Sequence, residues 1–407
     1  MSDPAYDAPV TLADVERARA TIRPLAVVTP MEESRSLAAG TGGGVRLKCE
    51  NLQRTGSFKV RGAFNRMSGL TDDEKARGVV AASAGNHAQG VALAAQALGI
   101  HATVFMPEGA PIPKERATRE YGADVLFRGR YVEDSLAEAR AFQERTGAVL
   151  IHPFDNVDVV AGQGTCGLEI LEQAPDVETI VVPCGGGGLL SGIAVAAKAL
   201  RPGIRVVGVQ AAEAAAFPAS LEAGHPVALP AMRTMADGIA VGVPGEVTLA
   251  LVRELVDEIV TVSEASLSRA VLATLERAKQ VVEPAGAAAV AAILDDPARF
   301  DTPTVAVLSG GNIDPLLLGK VIQHGMAAAG RYLNLRLRVP DRPGGLARLL
   351  SDIGDAGANV VEVSHARIDA DLSLDDVEVH LQLETRGPAH AEAVTSQLRA
   401  HGYRIFE

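Results

Sequence analysis

Short apolar runs alternate with helical stretches from about Thr11 to Leu318. VRLKCE, GVVAAS, ATVFMP, AVLIHPF, TIVVP, RVVGVQ and TVAVLSGG read as buried strands. The Ala-rich segments AQGVALAAQALG and LLSGIAVAAKALR read as helices between them. This βαβ rhythm predicts an α/β fold, parallel sheet with helices on both faces. Near Arg331 the pattern changes. YLNLRLRV predicts a strand, and Pro343 with Gly344 and Gly345 opens the helix GLARLLSDIGDAG. Strands NVVEVSHARI and VEVHLQLET, a helix AHAEAVTSQLRAHG and a short strand YRIF follow. That order is βαββαβ, a ferredoxin-like unit over 332–407. The small residues of GMAAAG suggest a flexible linker at 326–331, so the first region spans 1–325.

Composition narrows the function classes. A chain of 407 residues with 47% apolar residues can bury two or three cores. Trp is absent, so Ala, Val, Leu and Gly must do the packing. A net charge of −12, spread along the chain, gives no electrostatic case for nucleic acid or anionic membrane as partner. Cys49, Cys166 and Cys184 lack CxxC spacing, which argues against a disulfide framework or zinc site and for a reducing compartment. The N-terminal residues lack a basic start and apolar core, and no apolar run approaches the roughly 20 residues of a membrane span. A cytoplasmic location is expected.

Four segments bear chemistry. Gly185-Gly186-Gly187-Gly188-Leu189 lies between a strand and a helix. Such a run turns tightly and gathers backbone N–H groups at a helix start, which suits a phosphate; steric need for a tight βα turn is the plainer explanation. Ser57-Phe58-Lys59-Val60-Arg61-Gly62-Ala63 places a lysine at an apolar helix start. Such lysines ordinarily snorkel to the surface, but a desolvated one has a lowered pKa and becomes a Schiff-base nucleophile. Ser83-Ala84-Gly85-Asn86-His87 follows a strand and opens a helix whose N–H groups can hold a carboxylate; Asn86 caps the helix or bonds a cofactor oxygen. Ser309-Gly310-Gly311-Asn312 offers a hydroxyl to a ring nitrogen, or caps a turn.

In this order, ENLQRTGSFKVRGA, ASAGNHAQGVA, the GGGGL loop, VVEPAGAAA and LSGGN resemble the fold-type II pyridoxal-phosphate enzymes, and among them the threonine dehydratases (threonine ammonia-lyases). The resemblance covers essentially the whole chain. It implies a catalytic region of two parallel-sheet subdomains, the smaller inserted over roughly 55–155. It also implies pyridoxal 5'-phosphate as cofactor, bound as a Schiff base to Lys59 and packed by Phe58. Asn86 would bond the ring hydroxyl, Gly185, Gly186, Gly187, Gly188 and Leu189 would cradle the phosphate, and Ser309 would face the pyridine nitrogen. Ser83, Ala84, Gly85, Asn86 and His87 would hold the substrate carboxylate. The tail resembles an ACT domain, whose ligand would sit at Asp341, Arg342, Pro343, Gly344, Gly345 and Leu346.

The expected reaction is loss of water and then ammonia from L-threonine, and also L-serine. Lys59, freed as substrate binds, takes the α-proton. With no side-chain cation on the glycine loop, the phosphate keeps a proton and can protonate the leaving hydroxyl. Serine racemases of the same fold carry Ser where this chain has Ala84, so a lyase is favoured over a racemase. A dehydratase for hydroxyaspartate and a non-enzymatic amino-acid sensor are the competing classes. Glu213 matches a family cation ligand, yet AAAFPAS after it holds no second carboxylate, so no tight divalent metal is expected; monovalent or backbone-carbonyl coordination stays open. A homodimer or homotetramer with isoleucine or valine as effector is the expected assembly.

Overall fold

The structure, a computed structural model, describes residues 8–110, 112–130, 132–366 and 376–406. Its contacts divide the chain into two units, Met1–Leu318 and Gly319–Glu407.

The first unit holds two sheets. The larger has six strands in the order Met31–Glu33, Val45–Cys49, Thr304–Leu308, Thr179–Pro183, Arg205–Ala211, Glu258–Val262. All pairs are parallel except the antiparallel edge strand Met31–Glu33. The smaller sheet is wholly parallel, in the order Asp124–Phe127, Ala102–Met106, Val79–Ala82, Val149–Leu150. Central strands such as Thr179–Pro183 and Thr304–Leu308 are buried along their length, as helices on both faces require. All seven predicted strands of this region form. Three more, Met31–Glu33, Asp124–Phe127 and Glu258–Val262, are edge strands. Their partial exposure removes the continuous apolar run that marks the others.

The chain leaves the larger sheet after Cys49, builds the smaller one, and returns through the helix Val157–Gln173. The helix Lys59–Ser68 bridges the two. It lies tight against Val157–Gln173: a Cβ on Gly62 would sit 2.7 Å from the Val159 carbonyl oxygen, and one on Gly162 2.7 Å from Gly62 Cα. A buried ionic network clamps the same helix. Arg61 spans Glu50 (2.7 and 2.8 Å) and Glu169 (2.7 and 2.9 Å), while Lys48 donates to Glu169 at 2.6 Å and to the Thr29 carbonyl at 2.8 Å. Two cations answer two anions, and hydrogen bonds fill the remaining positions. Losing one partner of such a set costs about 3–5 kcal/mol, because a charge is left buried alone. The lysine two residues before Arg61 therefore stands on a fixed helix start.

The second unit is an antiparallel sheet in the order Asn359–Ala366, Asp376–Glu384, Tyr332–Pro340, Arg404–Phe406. Helices Gly345–Asp355 and Pro388–Ala400 pack Leu349, Ile353, Val394 and Leu398 onto Leu335, Leu337, Val379 and Leu381. This is the ferredoxin-like βαββαβ order. Arg367 and Ile368 of the predicted NVVEVSHARI strand lie outside the described residues. The expected linker is different: helix Pro315–Ala328 runs through its first three residues. Ala and Met are strong helix formers, so the segment's small size brings helix rather than flexibility. Among the described residues, no helix is long and apolar enough to cross a membrane.

Candidate active site

The chemistry-bearing segments sit at the C-terminal ends of parallel strands, where open α/β sheets leave a crevice. Lys59 is the first residue of its helix, with Phe58 as N-cap. Ser57 bridges Gly310, and the Phe58 N–H donates to the Ser309 carbonyl at 3.2 Å. The lysine and serine loops are thus stitched side by side. Lys59 Nζ donates to the Pro153 carbonyl at 2.9 Å and lies 5.1 Å from the Phe58 ring centre. Burial pushes its pKa down to about 8, against the opposing pull of Glu283.

The glycine loop follows the strand Thr179–Pro183 and opens the helix Gly188–Leu200. Gly187 takes φ +93° as N-cap, a left-handed conformation that favours glycine. A Cβ on Gly186 would stand 2.5 Å from the Phe154 ring. The nearest side chains to Gly186 and Gly187 are Phe154, Phe217 and Thr248, none of them cationic. Thr248 Oγ1 donates to the Gly186 carbonyl at 2.7 Å, fixing one face of the loop. Segment 152–155 thereby joins two parts of the site: its Pro153 carbonyl holds Lys59, and Phe154 backs the glycine loop.

On the small sheet, Gly85 caps the helix Asn86–Leu98, and its N–H donates to Ser83 Oγ at 3.1 Å. His87 is buried with Nε2 2.7 Å from the Ile151 carbonyl, and burial, then Lys59, push its pKa down to about 3. Its ring is neutral and committed to the fold, which leaves only its backbone for the expected contact with a carboxylate. Asn86 Nδ2 donates to Glu283 Oε1 at 2.6 Å, and Asn86 Oδ1 accepts from Asn312 Nδ2 at 2.8 Å. Glu283 is buried, which raises its pKa to about 7 despite Lys114 and Asn86. The turn Asp237–Ile239 closes the ring of contacts: Ile239 Cα lies 3.0 Å from a Cβ on Gly185, and a Cβ on Gly238 would lie 3.3 Å from Glu283 Oε1. At the mouth, Lys114 Nζ and Asp237 Oδ2 are 3.6 Å apart.

Lys59, Phe58, Asn86, the glycine loop and Ser309 therefore converge on one crevice. Asn312, named in the serine loop without a role of its own, joins them, as do Glu283, Lys114 and Asp237, which had not been singled out from the sequence. Glu283 had a usable signal: a lone carboxylate inside the apolar VVEPAGAAA is a buried acid needing a partner. Glu213 is exposed in a short 3-10 turn. The loop Asp341–Leu346 belongs to the second unit; Gly344, with φ +86°, caps the helix Gly345–Asp355, and residues 341–344 are exposed.

A phosphorylated pyridine aldehyde fits the crevice. The glycine loop is a cradle that a Cβ at Gly186 would fill, and Ser57 Oγ is a buried hydroxyl without a partner beside Gly310. Lys59 supplies the amine, Asn86 has an amide N–H to give, and Ser309 is buried nearby.

Fold and crevice together define a cofactor-dependent α/β enzyme, and comparison with known proteins gives its class. Residues 22–310 match the pyridoxal-phosphate dependent enzyme family, and residues 334–402 match the ACT domain. The chain belongs to the pyridoxal-phosphate-dependent enzymes, in their fold-type II form, and ends in an ACT domain. It is similar to the L-threonine ammonia-lyase of Thermotoga maritima, 45% identical over 97% of this chain and 99% of that one. Among solved structures it resembles the T.th. threonine deaminase, with TM-score 0.71 and 47% identity over 75% of this chain and 99% of that one. Maize serine racemase gives TM-score 0.73 and 37% identity over 78% of this chain and 98% of that one.

Proposed function

We propose that this chain eliminates water from L-threonine, and from L-serine, and releases an enamine that takes up water as it hydrolyses to 2-oxobutanoate or pyruvate and ammonium. The observation that carries this reading is the likeness to the Thermotoga maritima L-threonine ammonia-lyase over nearly the whole of both chains. The local chemistry supports it.

Bound pyridoxal phosphate supplies the electron sink for charge released at the substrate Cα. Lys59 would anchor it and, as a free amine beside bound substrate, would take the Cα proton. Burial suits both tasks, because an amine with a pKa near 8 is roughly one-tenth neutral at pH 7, against well under a thousandth for an unperturbed lysine. The glycine loop holds the phosphate through backbone N–H groups at the start of the helix Gly188–Leu200. Asn86 would donate to the ring oxygen. Ser309 would offer the ring nitrogen a neutral hydroxyl rather than a carboxylate, which favours loss of the β-hydroxyl over transamination. Ser83 to His87 hold the substrate carboxylate by backbone N–H groups. Ala84 has no hydroxyl to return a proton from the far face, which supports a lyase over a racemase. The tail is a regulatory unit whose loop Asp341–Leu346 takes isoleucine or valine, in a cytoplasmic homodimer or homotetramer. Lys59→Ala tests the reading. It should fold, lose the cofactor's visible band near roughly 410 nm, and lose turnover; more than trace activity would overturn it.

A further inference from the structure

Asn86 can serve the cofactor only if its amide points one way. Its side chain ends in a donor and an acceptor of nearly equal shape, and a half-turn exchanges them. The contacts around it set one direction. Asn312 Nδ2 donates to the Thr55 carbonyl at 2.6 Å and to Asn86 Oδ1 at 2.8 Å. A backbone carbonyl can only accept, so Asn312 must present its NH2 group there. Asn86 must then turn its oxygen toward Asn312 and its nitrogen toward Glu283, where Oε1 accepts at 2.6 Å. Donation runs without a reversal from Asn312 through Asn86 to Glu283, with the Thr55 carbonyl as its anchor. The second N–H of Asn86 is left for a ligand oxygen.

We propose that Glu283 and Asn312 are positioning residues that fix the direction of the Asn86 amide toward the cofactor. The inference rests on the proposed role of Asn86 as donor to the ring oxygen. Steric detail agrees with it. A Cβ on Gly310 would stand 2.5 Å from Glu283 Oε1 and 3.0 Å from Asn86 Nδ2, and a Cβ on Gly56 2.4 Å from Asn312 Oδ1. Glycine at both places lets the chain of side chains approach. Thr55 lies four residues before Lys59, so the anchor belongs to the lysine loop. The amide direction is therefore tied to the backbone that carries the cofactor's own attachment point.

A double-mutant cycle tests this with cofactor-free protein and added pyridoxal phosphate, reading the dissociation constant by equilibrium dialysis and the visible band. Asn312→Asp keeps the shape but removes the donor. Glu283→Gln puts an amide NH2 group in competition for the place where Oε1 accepts from Asn86. Each should weaken cofactor binding, Asn312→Asp by roughly tenfold or more, the scale of a misdirected hydrogen bond. In an Asn86→Ala background both effects should shrink to within about twofold, since there is no amide left to direct. If either substitution weakens binding as much without Asn86 as with it, the residues are only structural and the inference fails. An Asn86→Ala protein that binds cofactor as tightly as wild type would instead refute the role of Asn86. Should Asn312→Asp not fold, the Glu283→Gln arm gives the same decision.

Discussion

Lys59 is an amine whose surroundings resist its charge, and that has a measurable signature. An unperturbed lysine loses its proton near roughly 10.4, whereas burial brings Lys59 to about 8. The neutral amine is the form that attacks a carbonyl. The rate at which cofactor-free protein captures pyridoxal phosphate should rise with pH and level off just above 8. A rate that keeps climbing beyond 10 would mean that Lys59 is not desolvated as described. At this scale the sequence pointed to groups that the fold brings to one crevice: the lysine, the asparagine, the serine and the glycines each stand in a short turn that limits what they can do. It did not point to Glu283, and it named Asn312 without a partner. Their roles depend on hydrogen bonds to residues 197 and 226 positions away, and no local pattern encodes such a pairing. The ring of His87 is tied to the Ile151 carbonyl, a pairing 64 positions away that the local pattern does not encode.

Each element of the site is a strand end followed by a helix start, and close packing sets how far each can yield. Gly186 has Phe154 2.5 Å from where a Cβ would be, and Thr248 holds its carbonyl from the other side. Gly186→Ala should therefore displace the loop and weaken cofactor binding by about fivefold to 150-fold, the range that roughly 1–3 kcal/mol of overpacking gives. Titration of the cofactor-free variant measures it, and an unchanged affinity would show that the loop does not shape the phosphate site. Buried strands were readable as continuous apolar runs. Met31–Glu33, Asp124–Phe127 and Glu258–Val262 were not, because a half-exposed sheet edge mixes polar residues into the pattern. The helix end at Ala328 was hidden for the opposite reason: residues that look like a linker by size are helix formers by propensity.

At the scale of the whole molecule, the chain forms two units with separate cores. Residues equal to 75% of this chain match 99% of the T.th. threonine deaminase, so the catalytic fold has a solved counterpart of its own extent. Removing residues from 331 onward should leave turnover largely intact. Isoleucine or valine should change the rate or substrate affinity of the full chain by about fivefold to 150-fold, the usual range of coupling between sites, and should not affect the shortened one. A full chain that ignores a panel of amino acids would reduce the tail to an assembly element.

The decisive measurement is product analysis of the cofactor-loaded full chain with L-threonine, following 2-oxobutanoate, ammonium and the chirality of the remaining amino acid together. The account predicts one 2-oxobutanoate and one ammonium for each threonine lost, with the unreacted amino acid still in its original configuration. Inverted amino acid accumulating without 2-oxo acid would contradict it, since that outcome requires a second proton donor, which Ala84 cannot be.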